Sequence, residues 1–259
     1  MQPAVQHSTV PTPGRGRSRR PLRRTRSRAP AAALASLQDE LKTHGMWDTT
    51  ILFFLSDNGG PVYTFGTSGA SNYPLLGGKM SNWEGGIRTP AFVAGGAVRQ
   101  SMRGTKLHGL ITAWDWFATL AEIAGAPATD PRAAKAGLPP PDSLSVWGYI
   151  NGNRTESPRS QLVLGSAGGV RGGETQATGV IAEDTSGRLW KLLVGNISQY
   201  GWQGPSFPNA STAGWDGNTA VKNCGEAGCL FELRSDPTEH VDLAGTAVEQ
   251  LKQLQLRVQ

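Results

Sequence analysis

An amphipathic helix followed by an apolar strand is the feature that most constrains the fold. Residues 31–45 read AAALASLQDELKTHG, with leucines at spacings of three and four, and they end in Gly45, where a helix C-cap is expected. After a short link, DTTILFFL at 48–55 has β-branched and aromatic residues without alternation, which is typical of a strand buried on both faces. Helix, link and buried strand make half of a βαβ unit, so the order favours an α/β fold with a parallel sheet.

A polar dipeptide stands where this apolar strand ends. Asp57 and Asn58 follow FLS and precede two glycines. Ligands gather at the carboxyl ends of strands in an open parallel sheet, and these side chains offer the hard oxygens that Ca²⁺ or Mg²⁺ takes. The glycines permit a sharp turn. The alternative is an Asx-type turn that caps the strand, and the dipeptide alone does not separate the two interpretations.

The glycine-dense stretch at 56–90 contains further charged residues. Lys79 stands between glycines and an aromatic in PLLGGKMSNWEGGIRTP. It is either a cation that neutralises an anionic substrate or a solvated surface lysine. Glu84 and Arg88 are four residues apart, which favours an internal ion pair that rigidifies the loop over a direct catalytic role.

The remaining segments divide the chain into two parts. AFVAGG at 91–96 predicts a short strand, and 111–125 predicts a helix ended by Gly125, with a buried face at Leu110, Trp114, Phe117, Leu120 and Ile123. From about residue 161 the sequence pattern changes and predicts short strands with turn residues between them, followed by a final helix. We therefore predict an α/β part at 31–160 and a small antiparallel sheet with a helix at 161–259.

The charge of the chain is unevenly distributed. The formal net charge is +5, yet the first 30 residues carry eight arginines and no acid, so the remainder is net negative. This Arg- and Pro-rich tail, 1–30, cannot bury a core and is predicted to be disordered. Its three interpretations are a nucleic-acid-binding arm, an organelle transit peptide and an inert extension foreign to the body. No apolar run approaches the roughly 20 residues that span a bilayer, and none has the form of a signal peptide.

The chain also contains two cysteines and three glycosylation sequons. Cys224 and Cys229 lie in CGEAGC, where a short disulfide is sterically feasible and two free thiols are the alternative. A metal site is poorly supported, because two thiolates need two further ligands. N-x-[ST] sequons at Asn153, Asn196 and Asn209 hint at a secretory route and a glycoprotein.

The order of these motifs resembles the sulfatase family of the alkaline-phosphatase-like superfamily. FLSDNGG, then PLLGGKMSNWEGGIRTPAFVAGG, then ITAWDWFATLAEIAGA carry the resemblance, and RLWKLLVG and CLFELRSDPTEHVDLA extend it toward the arylsulfatase B-like branch. The resemblance implies a partial alkaline-phosphatase-like sandwich with a small C-terminal antiparallel β-sheet plus helix subdomain. It also implies that Asp57 and Asn58 ligate a divalent cation, usually Ca²⁺, while Lys79 contacts the sulfate group, where S–O cleavage builds negative charge.

Other family features find no match, so no catalytic residue is assigned. The formylglycine nucleophile arises from C/S-x-P-x-R, which neither Cys224 nor Cys229 fits. The first pair of aspartate ligands, the upstream lysine and the site histidines are absent too, and Thr112 stands where many relatives have histidine. The resemblance thus covers the C-terminal half, as in a truncated gene model or a pseudoenzyme. We expect an incomplete Ca²⁺ site, no turnover by this chain, and the N-terminal half of the fold as its missing partner.

Several functions remain open at this level. The family implies a sulfuric ester hydrolase, with a sulfate ester or a sulfated glycan as substrate and a secretory, lysosomal or extracellular location. One alternative is a phosphate or phosphonate ester hydrolase of the same superfamily. Another is a non-catalytic polyanion- or sulfated-glycan-binding module, with nucleic acid bound only through the basic tail. The aromatic residues Tyr200, Trp202 and Trp215 either contact a sugar or aryl ring or pack internally.

Overall fold

The computed structural model describes residues 5–6, 28–61, 70–165, 178–202 and 220–257. Most of the basic tail, together with Asn209 and Trp215, lies outside these residues, so the predictions made for them stay predictions. The first helix, α1 (Arg28–Thr43), begins inside the stretch assigned to the tail. Among the helices of the described residues, none combines the length and the apolar character required to cross a membrane.

The first sheet contains three strands, β1 (Val5–Gln6), β2 (Leu52–Leu55) and β3 (Thr89–Ala94), in the order β1-β3-β2. A 3-10 turn at Trp47–Thr49 links α1 to β2. β1 pairs with β3 in parallel, but β2 and β3 are antiparallel, so the prediction of a parallel sheet is wrong for this pair. The reason lies in α2 (Glu84–Ile87), which returns the chain to the end of β2 and directly precedes β3.

Neither α1 nor β2 is covered as its apolar pattern predicts. The residues of β2 are only half-buried, and Leu55 is 39% exposed. On α1, Leu37 is 44% exposed. The prediction that β2 is buried on both faces is therefore wrong within the described residues, where β2 is an edge strand with β3 as its neighbour.

Short helices follow the first sheet: a 3-10 turn at Gln100–Met102, α3 (Asp115–Ile123), α4 (Pro131–Lys135) and α5 (Trp147–Ile150). The predicted buried face of α3 is wrong at Phe117 and Leu120, which are 48% and 49% exposed, whereas Leu110 is buried and Trp114 packs against the core. The buried face instead contains Asp115, Ala118 and Thr119. Polar contacts fix this orientation, since Ala118 N donates to Ser143 Oγ and Thr119 Oγ1 accepts from Val146 N.

The predicted C-terminal antiparallel sheet with a helix is confirmed. Its strands have the order β4-β5-β6-β9, and a separate two-stranded ribbon pairs β7 with β8. The bounds are β4 Gln161–Leu164, β5 Thr178–Glu183, β6 Leu189–Val194, β7 Asn196–Ile197, β8 Lys222–Asn223, β9 Cys229–Glu232 and α6 Val248–Gln255. One face of this sheet packs against Leu76, Trp83 and Ile87, and the other packs against α6. The sheet thereby supports the glycine-rich loops of the first part.

Candidate active site

A layer of glycines joins the turn after β2 to helix α2. A Cβ added at Gly59 would lie 1.7 Å from Gly85 O, and one added at Gly85 would lie 2.4 Å from Gly77 O. The backbones also bond directly, because Gly59 N donates to Gly86 O at 2.9 Å and Gly85 N donates to Leu76 O at 2.7 Å. The glycines are thus required by backbone contact between two loops.

Asp57 and Asn58 sit on this layer, with Asp57 exposed and Asn58 half-buried. Asp57 Oδ1 accepts from Asn58 N at 3.0 Å, and Asn58 Nδ2 donates to Gly59 O at 2.9 Å. Ser56 Oγ donates to Asn58 O at 3.0 Å. These local contacts are those of a turn, and they use one oxygen of the Asp57 carboxylate and the amide nitrogen of Asn58, leaving two side-chain oxygens for an outside ligand.

Lys79 is exposed and is tied to the same layer through its backbone, whose N–H donates to Gly60 O at 3.1 Å. Asn72 reinforces the junction: its Oδ1 accepts from Gly60 N at 2.8 Å, and its Nδ2 donates to Gly60 O and Gly77 O, each at 2.9 Å. The structure therefore brings the loops of Asp57, Asn58 and Lys79 together. The sequence did not single out Asn72, which is one of several asparagines in the glycine-rich stretch.

Glu84 contacts two buried charged residues, Lys191 and Glu239, in addition to the expected partner Arg88. Its Oε2 lies 3.5 Å from Arg88 Nη1, the pair anticipated from the spacing, and its Oε1 lies 3.0 Å from Lys191 Nζ. Lys191 Nζ also lies 2.7 Å from Glu239 Oε1, and Glu239 Oε2 accepts from Glu84 N at 2.7 Å. Burial raises the pKa of Glu239 to about 7; the Lys191 ammonium opposes this shift and the Glu84 carboxylate adds to it. Sequence analysis missed Lys191 and Glu239, although a lysine within the apolar run LWKLL was a signal.

Asp115 performs a structural role beside Thr112. Its buried carboxylate receives Arg159 Nε at 2.8 Å, Thr112 N at 2.8 Å and Leu144 N at 2.9 Å. These bonds hold the start of α3 to the segment before β4. Thr112, at which the family resemblance leads us to expect histidine, is fully buried.

The remaining candidates pack in the core. Cys224 and Cys229 form a disulfide with Cα atoms 5.0 Å apart, inside the apolar cluster that contains Trp83. Tyr200 lies 5.5 Å from the ring of Trp83. Trp202 donates its indole N–H to Thr238 O at 2.6 Å and stacks on His240 at 4.2 Å. In the structure, Tyr200 and Trp202 therefore pack internally.

The oxygen donors of this candidate site are fewer than Ca²⁺ requires. Within the described residues, no group of three or more His, Cys, Asp or Glu side chains is placed to hold a metal ion. Asp57 and Asn58 supply two oxygen-bearing side chains, whereas Ca²⁺ takes roughly six to eight oxygen ligands. The residues present do not form a complete site. A cavity of about 470 Å³ lies elsewhere, between α1 and β3, and is not lined by Asp57, Asn58 or Lys79.

Known proteins that are similar to this chain are sulfatases. A sulfatase family model matches residues 32–126, the segment that contains Asp57, Asn58 and Lys79. The chain is 29% identical to mouse arylsulfatase J over 230 residues, which are 82% of this chain and 36% of that protein. It is 36% identical to human steryl-sulfatase over 103 residues, 38% of this chain and 17% of that protein. The chain thus spans about a third of arylsulfatase J.

Solved structures show the same fold. A sulfatase from Pseudoalteromonas sp., PsFucS1, aligns with a TM-score of 0.60 at 21% identity, over 86% of this chain and 38% of that one. A Bacteroides thetaiotaomicron protein described with the metabolism of multiple glycosaminoglycans aligns with a TM-score of 0.55 at 22% identity, over 86% and 41%. The expectation of a partial alkaline-phosphatase-like fold is confirmed. The chain covers only part of each of these structures.

Proposed function

We propose that this chain is part of a sulfate ester hydrolase and that Lys79, Asp57 and Asn58 are its share of the active site. The observation that carries the proposal is the glycine layer, which joins the Lys79 loop to the Asp57 turn by the 3.1 Å bond from Lys79 N to Gly60 O. All three residues lie in the segment that matches the sulfatase model. An exposed ammonium group on a loop that adjoins hard oxygen donors suits a sulfate group, whose oxygens carry the charge that develops during S–O cleavage.

Ca²⁺ is the proposed cofactor of the complete enzyme. Asp57 and Asn58 would be two of its ligands, and the ion would act as a Lewis acid on a sulfate oxygen. Because two side chains are too few, we assign no step to the ion in this chain and expect weak Ca²⁺ binding. Calcium titration by calorimetry, with Asp57→Asn as the comparison, measures this contribution.

The chain by itself is proposed to be inactive, because its sequence contains no C/S-x-P-x-R motif from which the family nucleophile arises. With 4-methylumbelliferyl sulfate we expect no turnover above that of buffer. Turnover that is abolished by Lys79→Ala would overturn the proposed inactivity while supporting sulfate ester hydrolysis.

Anion binding tests the site without requiring turnover. Lys79→Ala should weaken the binding of inorganic sulfate, while Lys106→Ala, a change at another exposed lysine, should leave it as it was. A parallel titration with inorganic phosphate separates a sulfatase from the phosphate- and phosphonate-ester alternatives. Equal sulfate binding by the Lys79→Ala and Lys106→Ala variants would contradict the proposed role of Lys79.

The partner of this chain is proposed to be the N-terminal half of a sulfatase fold, since the alignment covers 36% of arylsulfatase J. Sequencing the transcript upstream of the codon for Ala31 tests this. An open frame that continues into C-x-P-x-R and an aspartate pair would support it, and a transcript that starts at Met1 would contradict it.

A sulfated glycan is the proposed substrate class. The exposed residues Asn153 and Asn196 are proposed glycosylation sites, and glycosylation would be detected as a mass shift after glycosidase treatment of secreted protein.

A further inference from the structure

A fully buried lysine lies between two buried carboxylates at the junction of the two parts of the chain. Lys191 is 0% exposed, and its Nζ lies 3.0 Å from Glu84 Oε1 and 2.7 Å from Glu239 Oε1. Side chains alternate along β6, so Lys191 shares the face of Leu193, which packs toward Trp83 and α2. Interior charges are expensive to bury, and they persist where they are paired in a fixed geometry.

The second carboxylate holds the first turn of α2 directly. Glu239 has a positive φ of 57°, a conformation that is uncommon for this residue type. Its Oε2 accepts from Glu84 N, which opens α2, at 2.7 Å. Since the following residues Gly85 and Gly86 contact Gly59, Gly77 and Gly78, anything that holds the start of α2 also holds the glycine layer.

We propose that Lys191 and Glu239 are positioning residues that hold α2, and through it the loop of Lys79 and the Asp57 turn, against the C-terminal sheet. This inference goes beyond the proposed function, because it concerns the order of the loop whether or not the chain binds or cleaves a sulfate ester.

Burial is the main cause of the pH dependence expected for Glu239. Lys191 Nζ and Glu84 N face its two oxygens, and ionisation places a second carboxylate charge beside Glu84 in the interior. Arg88, half-buried, lies behind Glu84 at 3.5 Å. On the segment of Glu239 itself, Asp236 accepts from Thr238 Oγ1 and Val241 N, and the ring of His240 stacks on Trp202.

The change of folding stability with pH follows from the folded-state pKa of Glu239, which burial raises from 4.5 to about 7. The folded state therefore holds the proton more tightly than the unfolded state between these values. The contribution of Glu239 to stability is fully present below about 4.5 and is lost as the pH rises through about 7.

Amide hydrogen exchange of the full chain, read on peptides covering 77–88, tests the proposal. After correction for the intrinsic exchange rate, protection of the wild-type loop should fall by about tenfold or more as the pH rises from about 4.5 to about 7. Glu239→Gln keeps the size of the side chain and removes its titration, and the packing of Trp83 still anchors α2. This variant should give a flat profile.

The matched control is Glu249→Gln on α6, which removes a carboxylate from the exposed pair with Lys252, whose side chains are 83% and 62% exposed respectively. It should keep the pH profile of the wild type. A pH-independent wild-type loop, or a Glu239→Gln variant that retains the wild-type profile, would overturn the proposal. Because exchange is measured without sulfate, loss of the proposed hydrolase function would leave this result unchanged.

Discussion

At the scale of single residues, the glycine layer leaves no room for a methyl group. Gly59→Ala would place its Cβ 1.7 Å from Gly85 O, a backbone atom that cannot move without displacing α2. We expect the free energy of unfolding to fall by about 3 kcal/mol or more, because overpacked backbone contacts relax poorly. Urea denaturation followed by tryptophan fluorescence measures the change.

Gly245→Ala is the matched control for this substitution, since nothing lies within 4 Å of its added Cβ. Its stability should stay within about 0.5 kcal/mol of the wild type, as at other open surface positions. If Gly59→Ala were as stable as Gly245→Ala, the two loops would not meet in solution as the structure shows.

Asp184 leads to a second prediction at the scale of single residues, which concerns the stability of the fold at acid pH. Hydrogen bonds from Ser186, aided by Trp190 Nε1 and backbone amides and opposed by slight burial, lower the pKa of its carboxyl from 3.8 to about 2. A lowered folded-state pKa means that this stabilisation is present above about 3.8 and is lost as the pH falls toward about 2. Asp184→Asn should lower the melting temperature near neutral pH and reduce the loss of stability below pH 4.

Asp39→Asn, a change at an exposed aspartate of α1, controls for the loss of a negative charge. Its melting curve should follow the wild type across the acid range. An Asp184→Asn variant with the same acid sensitivity as the wild type would show that the turn does not hold the carboxylate charged.

At the scale of elements, α3 depends on a buried carboxylate more than on its apolar residues. Asp115 accepts from Arg159, Thr112 N and Leu144 N. Asp115→Ala therefore leaves the largely buried Arg159 guanidinium without its carboxylate partner and two amides without their acceptor. We expect a loss of about 3–5 kcal/mol, as when one partner of a buried ion pair is removed. Thermal or urea unfolding measures it.

The comparison is Asp130→Ala, which removes the exposed cap of α4, whose Oδ1 accepts from Arg132 N and Ala133 N. Loss of such a cap costs about 1 kcal/mol. Equal losses for the two variants would mean that Asp115 is only a helix cap and that Arg159 is not pinned by it.

The same helix shows what a sequence can and cannot predict. Local periodicity located α1, β2 and the strands of the C-terminal sheet, because these patterns depend on neighbouring residues. It misplaced the buried face of α3, because Phe117 and Leu120 have no covering element among the described residues while distant polar groups fix the helix from the other side. The direction of β3 against β2 was wrong for a similar reason, since it is set by the return of the chain through α2.

The candidate site shows the same division between local and distant features. Asp57, Asn58 and Lys79 could be proposed from the sequence because they stand in short contiguous motifs, and the structure brings their loops together. Lys191 and Glu239 were missed because the bond between Glu84 and Glu239 spans 155 residues, and no local pattern marks that pairing. Polar partners so far apart in the chain become visible only in the folded structure.

At the scale of the whole molecule, the exposed edge of the first sheet predicts self-association. β2 pairs with β3 along one edge, and among the described residues no strand pairs with its other edge. The strand is apolar throughout, and Leu55 is 39% exposed. An unpaired, uncharged strand edge is a template for pairing with another chain, so we expect low solubility and concentration-dependent oligomers. Sedimentation velocity over a series of protein concentrations measures this.

Leu55→Lys should shift the distribution toward monomer, because a charge on an edge strand opposes edge-to-edge pairing. Leu256→Lys is the matched control, since it makes the same chemical change at a residue that is 74% exposed and lies beyond α6, outside the first sheet. It should leave the association of the chain unchanged. A wild-type chain that stays monomeric at every concentration and melts cooperatively would refute the edge argument. Equal effects of the two lysines would assign the association to general surface hydrophobicity instead of to β2.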